Sequence, residues 1–168
     1  LAAQIGSASL VRADLADPAA PQAIIDAAKG LPPLRLLVNN ASLFAHDDIR
    51  DFTPQGWAAN LDVNLRAPAL LSRAFAATAE SGLIVNMLDA KLAAPNPDFF
   101  SYTLSKAALE AATTLLAQAL APQLRVVGVA PGLTLTSHML APERFEQLHK
   151  LSPLGQSSTP EQVAHAVR

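Results

Sequence analysis

The chain has 168 residues, of which 51% are hydrophobic and 15% charged, with a formal net charge of −2. That length carries a real hydrophobic core, and the balance excludes a disordered chain and gives nucleic acid or an anionic membrane no electrostatic hold. The absence of cysteine excludes a disulfide framework and thiolate chemistry and fits a reducing cytoplasm; no apolar run reaches the ~18 residues of a membrane span, and Leu1–Ile5 lacks the basic region of a signal peptide.

In chain order, Ala8–Val11 reads as a strand. Pro18–Lys29 reads as a helix capped by Asp17 and ended by Gly30. Leu34–Val38 is a strand apolar at every position but Arg35, as a sheet covered on both faces requires. A polar loop, Asn39–Thr53, leads to a long helix, Pro54–Ala79, interrupted around Asn64–Pro68. Leu83–Leu88 is a second buried strand, followed by a loop with two prolines, Asp89–Phe100. A helix over Ser101–Leu120 and a strand over Leu124–Val129 come next. A short helix spans about Pro142–Lys150, and a last one opens at Pro160 with Thr159 and Gln162 as a capping box. Strands alternating with helices of this length predict right-handed βαβ crossovers and a parallel sheet, against a helical bundle as the alternative.

Tyr102 and Lys106 are four apart on a predicted helix and share a face. An ammonium beside a phenol stabilises the phenolate and makes Tyr an acid–base group near neutral pH. Taken alone the pair also fits a surface Lys beside a half-buried Tyr. Here it has company: Asn39-Asn40-Ala41-Ser42, Asp89 and Pro131-Gly132 each follow a predicted strand, at the edge where parallel α/β sheets bind ligands. Pro68 has no N–H, so it leaves the carbonyl of Asn64 without its helical partner and free to hold a water; a plain kink is the alternative. His46, His138, His149 and His165 show no metal-ligand spacing, and Asp47, Asp48 and Asp51 read as a solvated loop cluster, so no metal site is expected. No Gly-x-Ser-x-Gly elbow supports a hydrolase.

In order and spacing, Asn39-Asn40-Ala41, Asn64, Tyr102-x-x-x-Lys106 and Pro131-Gly132 resemble the successive motifs of the short-chain dehydrogenase/reductase superfamily. Asp14-Leu15 resembles its adenine-contacting acidic position. The resemblance covers essentially all of residues 1–168 as one domain. It implies a Rossmann-like, doubly wound α/β fold. It also implies that Tyr102 is the catalytic acid, that Lys106 binds the nicotinamide ribose and lowers the pKa of Tyr102, and that Asn64 holds a relay water. Asp14, Leu15, Asn39, Asn40, Ala41, Ser42, Tyr102, Lys106, Pro131 and Gly132 would contact the cofactor. NADPH is the implied cofactor, with NADH left open.

One position departs from the superfamily pattern. Thirteen residues before Tyr102, where the superfamily has Ser, stands Asp89. This resembles the pteridine reductases and related dihydrofolate or dihydromonapterin reductases. Ser42-Leu43-Phe44 is similar to their Ser-x-Phe, and Gly132-Leu133-Thr134 to a segment lining the same pocket. A carboxylate suits a pterin edge, which presents several N–H groups, whereas a Ser would suffice for a ketone. A turn-capping Asp is the alternative reading of Asp89. The substrate residues implied are Phe44, Asp89, Tyr102 and Thr134. The expected function is NADPH-dependent reduction of a dihydropterin or dihydrofolate; a reductase of ordinary carbonyls or alcohols and a non-catalytic oligomeric scaffold are the alternatives. None of the seven glycines forms the Gly-x-x-x-Gly-x-Gly turn of the superfamily, and its first βαβ segment and C-terminal strand have no counterpart here. The sequence is therefore expected to be part of a longer protein, with Leu1–Gly6 resembling the end of a preceding helix. The two long Ala-rich helices have more apolar surface than one sheet face can cover, and by resemblance they should pair with a neighbouring subunit toward a homotetramer.

Overall fold

The computed structural model describes residues 8–136, 140–152 and 154–168. Its elements run α1 (Ala20–Ala27), β1 (Leu36–Asn39), α2 (Pro54–Leu61), a π-helical turn (Asp62–Arg66), α3 (Ala67–Ala76), β2 (Gly82–Met87), a 3-10 turn (Ala90–Ala93), α4 (Phe100–Leu120), β3 (Leu124–Val129), α5 (Pro142–His149) and α6 (Pro160–Val167). The fold is α/β. The three strands form a parallel sheet in the order β1-β2-β3, with Asn39 level with Asn86 and Asn86 level with Gly128. Parallel strands joined by helical crossovers end at the same edge, so every loop that follows a strand opens there.

Side chains alternate across the sheet. Ile84, Leu124 and Val126 enter a core with Ile25 of α1 and Leu71, Ala74 and Phe75 of α3, and Leu37, Leu116 and Leu120 pack around it. The other face carries Val38 and Met87, and α6 lies over their ends through Pro160, Val163 and Val167. Gly82 opens β2 because no Cβ fits there: one would stand 2.5 Å from the carbonyl oxygen of Arg35.

Several sequence expectations are corrected. Residues 8–13 form no strand, and Leu10 and Val11 are exposed, because no neighbouring strand among the described residues takes up their backbone groups. For the same reason β1 is an edge strand, with Leu36 on the surface, and not a strand buried on both faces. The first helix starts at Ala20, not Pro18; Asp17 accepts from the Ala19 N–H at 2.9 Å and makes a turn before the helix without capping it. The expected interruption near Pro68 is a full π turn. Pro68 cannot donate, and the ladder shifts register so that the Ala67 N–H reaches Asp62, five residues back. The Thr159/Gln162 capping box is present as expected. His138 and Leu1–Gly6 lie outside the described residues.

Phe75 is fully buried between α1 and the sheet. Phe75→Ala should cost about 3–5 kcal/mol through lost burial and the cavity left behind. Denaturant unfolding of the full-length protein should show this as a lower midpoint with an unchanged slope.

Candidate active site

The site is built on the edge where the strands end. Asn39 and Asn86, level on β1 and β2, are both buried, and the Asn39 amide donates to Asn86 Oδ1 at 2.8 Å. Asn86 in turn donates to Thr113 Oγ1 at 2.9 Å, which donates to the carbonyl of Leu109. This chain ties β1, β2 and α4 together beneath the site. The Asn39 side chain is thus turned into the sheet, while Asn40 faces the cleft described below.

The π turn presents Asn64, which is buried. Its Oδ1 accepts from the Leu43 N–H (2.8 Å) and the Ser42 hydroxyl (3.1 Å). Its amide donates to the Leu43 carbonyl (2.9 Å) and to Ser105 Oγ of α4 (3.0 Å). Its amide also reaches Asn60 Oδ1 on α2 at 3.5 Å, so most of its side-chain polarity goes into locking the loop after β1 onto α4. Ser105 and Asn86 are members of the site that the sequence did not single out: Asn86 is one polar residue in an apolar strand, and Ser105 is a small residue between Tyr102 and Lys106.

Asp89, just beyond β2, does two jobs. Oδ1 accepts from the Lys91 N–H at 2.8 Å, which is the turn cap of the bland reading, while Oδ2 accepts from the Tyr102 hydroxyl at 2.6 Å. The capping bond spends one oxygen and leaves the other aimed at the phenol. Lys106 is buried one turn along α4; its Nζ donates to the Met87 carbonyl at 2.7 Å and lies 5.8 Å from the centre of the Tyr102 ring. The ammonium is hydrogen-bonded to a backbone oxygen and stands over the ring, within reach of a cation–π attraction. Burial, and then Asp89, hold the Tyr102 pKa well above its ordinary value. Here the direction is opposite to the lowering that the resemblance implied, because desolvation and an adjacent carboxylate both disfavour a phenolate. Burial lowers the Lys106 pKa, partly opposed by Asp89.

Phe44 lies beside this pair. Its ring meets Tyr102 edge-on at 4.7 Å and stacks on Phe99 at 4.2 Å with 8° between the planes. A cleft of about 450 Å³ opens at the carboxyl ends of the strands, lined by Val38, Asn40, Met87, Pro131, Thr134 and Leu135 with the apolar side of α6. Thr134 belongs to this cleft, whereas Phe44 and Asp89 do not line it, so the structure does not set Thr134 directly opposite them. Thr134 Oγ1 is instead within 2.9 Å of both the Gly132 carbonyl and Ser158 Oγ. Asp14 accepts from the Ala16 N–H at 2.9 Å, and Arg66 beside the π turn holds the Ala16 carbonyl at 2.6 Å; Leu15 packs on the core. Ala41 and Gly132 are exposed, and the space around Gly132 is open. Among the described residues no group of acidic, His or Cys side chains could hold a metal ion, and no helix is long and apolar enough to cross a membrane.

The cleft suits a nicotinamide cofactor in shape and chemistry. It offers apolar walls for a ring, with Asn40 and Thr134 as polar contacts. Lys106 has spent one of its three protons on Met87, leaving two for hydroxyl groups.

Known proteins are similar to this chain in sequence and in fold. A family model described as enoyl-(acyl carrier protein) reductase matches residues 1–168. The chain belongs to the short-chain dehydrogenase/reductase family. It is 32% identical, over 99% of its length and 71% of the relative's, to a Streptomyces violaceoruber protein assigned as ketoacyl reductase 2 of the granaticin polyketide synthase. It is 38% identical to human dehydrogenase/reductase SDR family member 4 over 61% of the chain, which spans 38% of that protein. Among solved structures, FolM alternative dihydrofolate reductase 1 from Brucella canis, complexed with NADP, superposes with a TM-score of 0.92 at 39% identity, covering 99% of this chain and 68% of that one. This short-chain dehydrogenase/reductase chain is thus an oxidoreductase by family, and its neighbours include structures that carry NADP.

Tyr102 is the sole tyrosine of the chain. A difference titration of full-length protein against Tyr102→Phe should show the phenolate absorbance of Tyr102 emerging above the ordinary midpoint of about pH 10. Asp89→Asn should move that midpoint down only part of the way, since burial is the larger cause. The stability linked to this group is fully present below about pH 10 and falls as pH rises beyond it. A midpoint at or below 10 in the wild type would contradict the geometry.

Proposed function

We propose that the protein bearing this chain is an NADPH-dependent reductase of a pteridine-type substrate, a dihydropterin or dihydrofolate. The observation that carries this reading is the Asp89 carboxylate, 2.6 Å from the Tyr102 hydroxyl and near the Phe44 ring. A flat heterocycle with N–H groups on its edge needs a face to stack on and an acceptor, and the site offers both. The likeness to the Brucella canis dihydrofolate reductase with NADP supports both substrate class and cofactor.

NADPH, when bound, supplies the hydride. Asn40, Pro131, Gly132 and Lys106 would hold it at the strand ends, with Asp14 and Leu15 toward its adenine and Ala41 and Ser42 along its path. Tyr102 supplies the proton: its O–H bond breaks as an N–H bond forms on the reduced C=N group. The high pKa of the free site keeps that proton on the phenol at neutral pH. A substrate N–H that takes over Asp89 Oδ2 removes the Asp89 hydrogen bond, one of the three causes that hold the proton there, beside burial and the Asp89 charge. The Lys106 ammonium over the ring then offsets the charge left on the phenolate. Asn64 acts by fixing the loop that precedes Phe44, and its backbone carbonyl, to which Pro68 has no N–H to give, would hold a relay water.

NADPH oxidation by the full-length protein with dihydrobiopterin, dihydrofolate and a simple ketone tests this reading. Asp89→Ser should cut pteridine kcat/KM by more than about tenfold, the loss of a charge-assisted contact of about 1.5–3 kcal/mol, while ketone reduction is kept or gained. Tyr102→Phe should abolish nearly all turnover with cofactor affinity close to unchanged. A wild type that ignores every pterin yet reduces ketones would replace this reading with an ordinary carbonyl reductase.

We further propose assembly toward a homotetramer. Leu104 and Leu115 stand exposed on α4, an apolar surface suited to the same helix of a second subunit. Light scattering of full-length protein at micromolar concentration should give four subunits; a monomer refutes it.

A further inference from the structure

Asp47 is not a solvated loop residue. Its backbone carbonyl accepts from the Phe100 N–H at 3.2 Å, and its Oδ1 accepts from the Ser101 N–H at 3.0 Å. These are the first two residues of α4. The residue at the helix's own cap position, Phe99, makes no side-chain cap bond. A helix start leaves its first N–H groups without partners, and here one residue of a distant loop serves two of them, the Phe100 N–H through its backbone carbonyl and the Ser101 N–H through its carboxylate. Phe99 has φ 57° and ψ 50°, the left-handed region that a bulky residue adopts only when its surroundings hold it there. What that backbone achieves is visible three residues before Asp47: the Phe99 ring lies flat on Phe44, and His46 closes edge-on against Phe99 at 5.1 Å. Phe44 sits in a loop without regular structure and is 44% exposed. Its plane is set by Phe99 behind it and Tyr102 at its edge.

We propose that Asp47 is a positioning residue: by capping α4 from the Phe44 loop, it holds Phe99 as the backing of the Phe44 face and fixes that face relative to the Tyr102 hydroxyl. One side chain thus sets two distances, since Tyr102 directly follows Ser101 in sequence. With one face of Phe44 taken by Phe99, the substrate ring uses the other, and a backed ring does not turn when loaded. The role given to Phe44 rests on the pteridine reading above; the placement of Tyr102 does not.

The test uses full-length protein at a temperature where each variant is folded. Asp47→Ala should lower kcat/KM about tenfold, because small displacements of a proton donor are costly. Asp47→Asn, which keeps the Oδ1 acceptor, should restore it. Phe99→Gly accepts the left-handed backbone without strain and removes only the ring. It should therefore leave the melting temperature close to wild type, raise KM for the dihydropterin severalfold and change kcat little. Should the wild type reduce ketones and not pterins, the substrate reading fails, and the clamp is then judged by the ketone kcat of Asp47→Ala, which must still fall. Without substrate, near-UV circular dichroism of the aromatic cluster should weaken in Asp47→Ala and return in Asp47→Asn. The proposal is overturned if folded Asp47→Ala stays within about twofold of wild type, if Asp47→Asn is as impaired as Asp47→Ala, or if Phe99→Gly lowers KM, since the ring would then be blocking the slot.

Discussion

The hydrogen bond between Asn39 and Asn86 is the constraint on which the rest of the site depends. It joins two parallel strands near their carboxyl ends, and Asn86 continues it to Thr113 on α4. All three residues are buried, so a lost partner would strand a polar group where water does not reach, at about 1–3 kcal/mol each. A slip of one residue in register would turn the asparagines to the opposite face and break the chain. This bond therefore fixes which residues emerge level at the sheet edge. Asn40 after β1, Asp89 beyond β2 and Pro131 beyond β3 are neighbours because of it, and α4 with Tyr102 and Lys106 is held over the same edge.

On that frame the π turn has a specific effect. A regular helix would have continued the three- and four-residue spacing of α2 into α3. The extra residue per turn at Asp62–Arg66 rotates Asn64 inward, where it meets Leu43 on one side and Ser105 on the other. The cause is local, since Pro68 lacks an N–H, but the consequence spans three elements. Helix irregularities of this kind commonly mark functional sites, and here the geometry says why: an amide that both donates and accepts can lock a loop to a helix.

The electrostatics of the site follow from burial more than from charge pairing. Tyr102 and Lys106 are both pushed toward their neutral forms by desolvation, the phenol upward and the ammonium downward. Asp89 acts in the same direction on Tyr102 and in the opposite direction on Lys106. The result is a phenol that keeps its proton at neutral pH.

Much of this was legible in the sequence. The strands at Leu34–Val38, Leu83–Leu88 and Leu124–Val129 are short apolar runs bounded by turn residues, and each lies within one or two residues of its place in the fold. Tyr102, Lys106 and Asp89 were legible because their chemistry is local: a helical spacing of four, and a carboxylate where a hydroxyl was expected. The strand expected at Ala8–Val11 fails because pairing is a property of two segments and only one was in view. The raised pKa of Tyr102 was not legible because spacing reports proximity to Lys106 but not burial, nor the Asp89 bond to the hydroxyl. Asp47 and Phe99 were invisible for a related reason: fifty-odd residues separate a loop carboxylate from the helix end it caps, and no periodicity links them. Sequence alone determined the alternation of elements and the residue types that carry the chemistry, since both depend on near neighbours along the chain. Only the tertiary structure decided which side chains touch, which proton is held and which ring is backed, because burial and contact across the chain are set by packing.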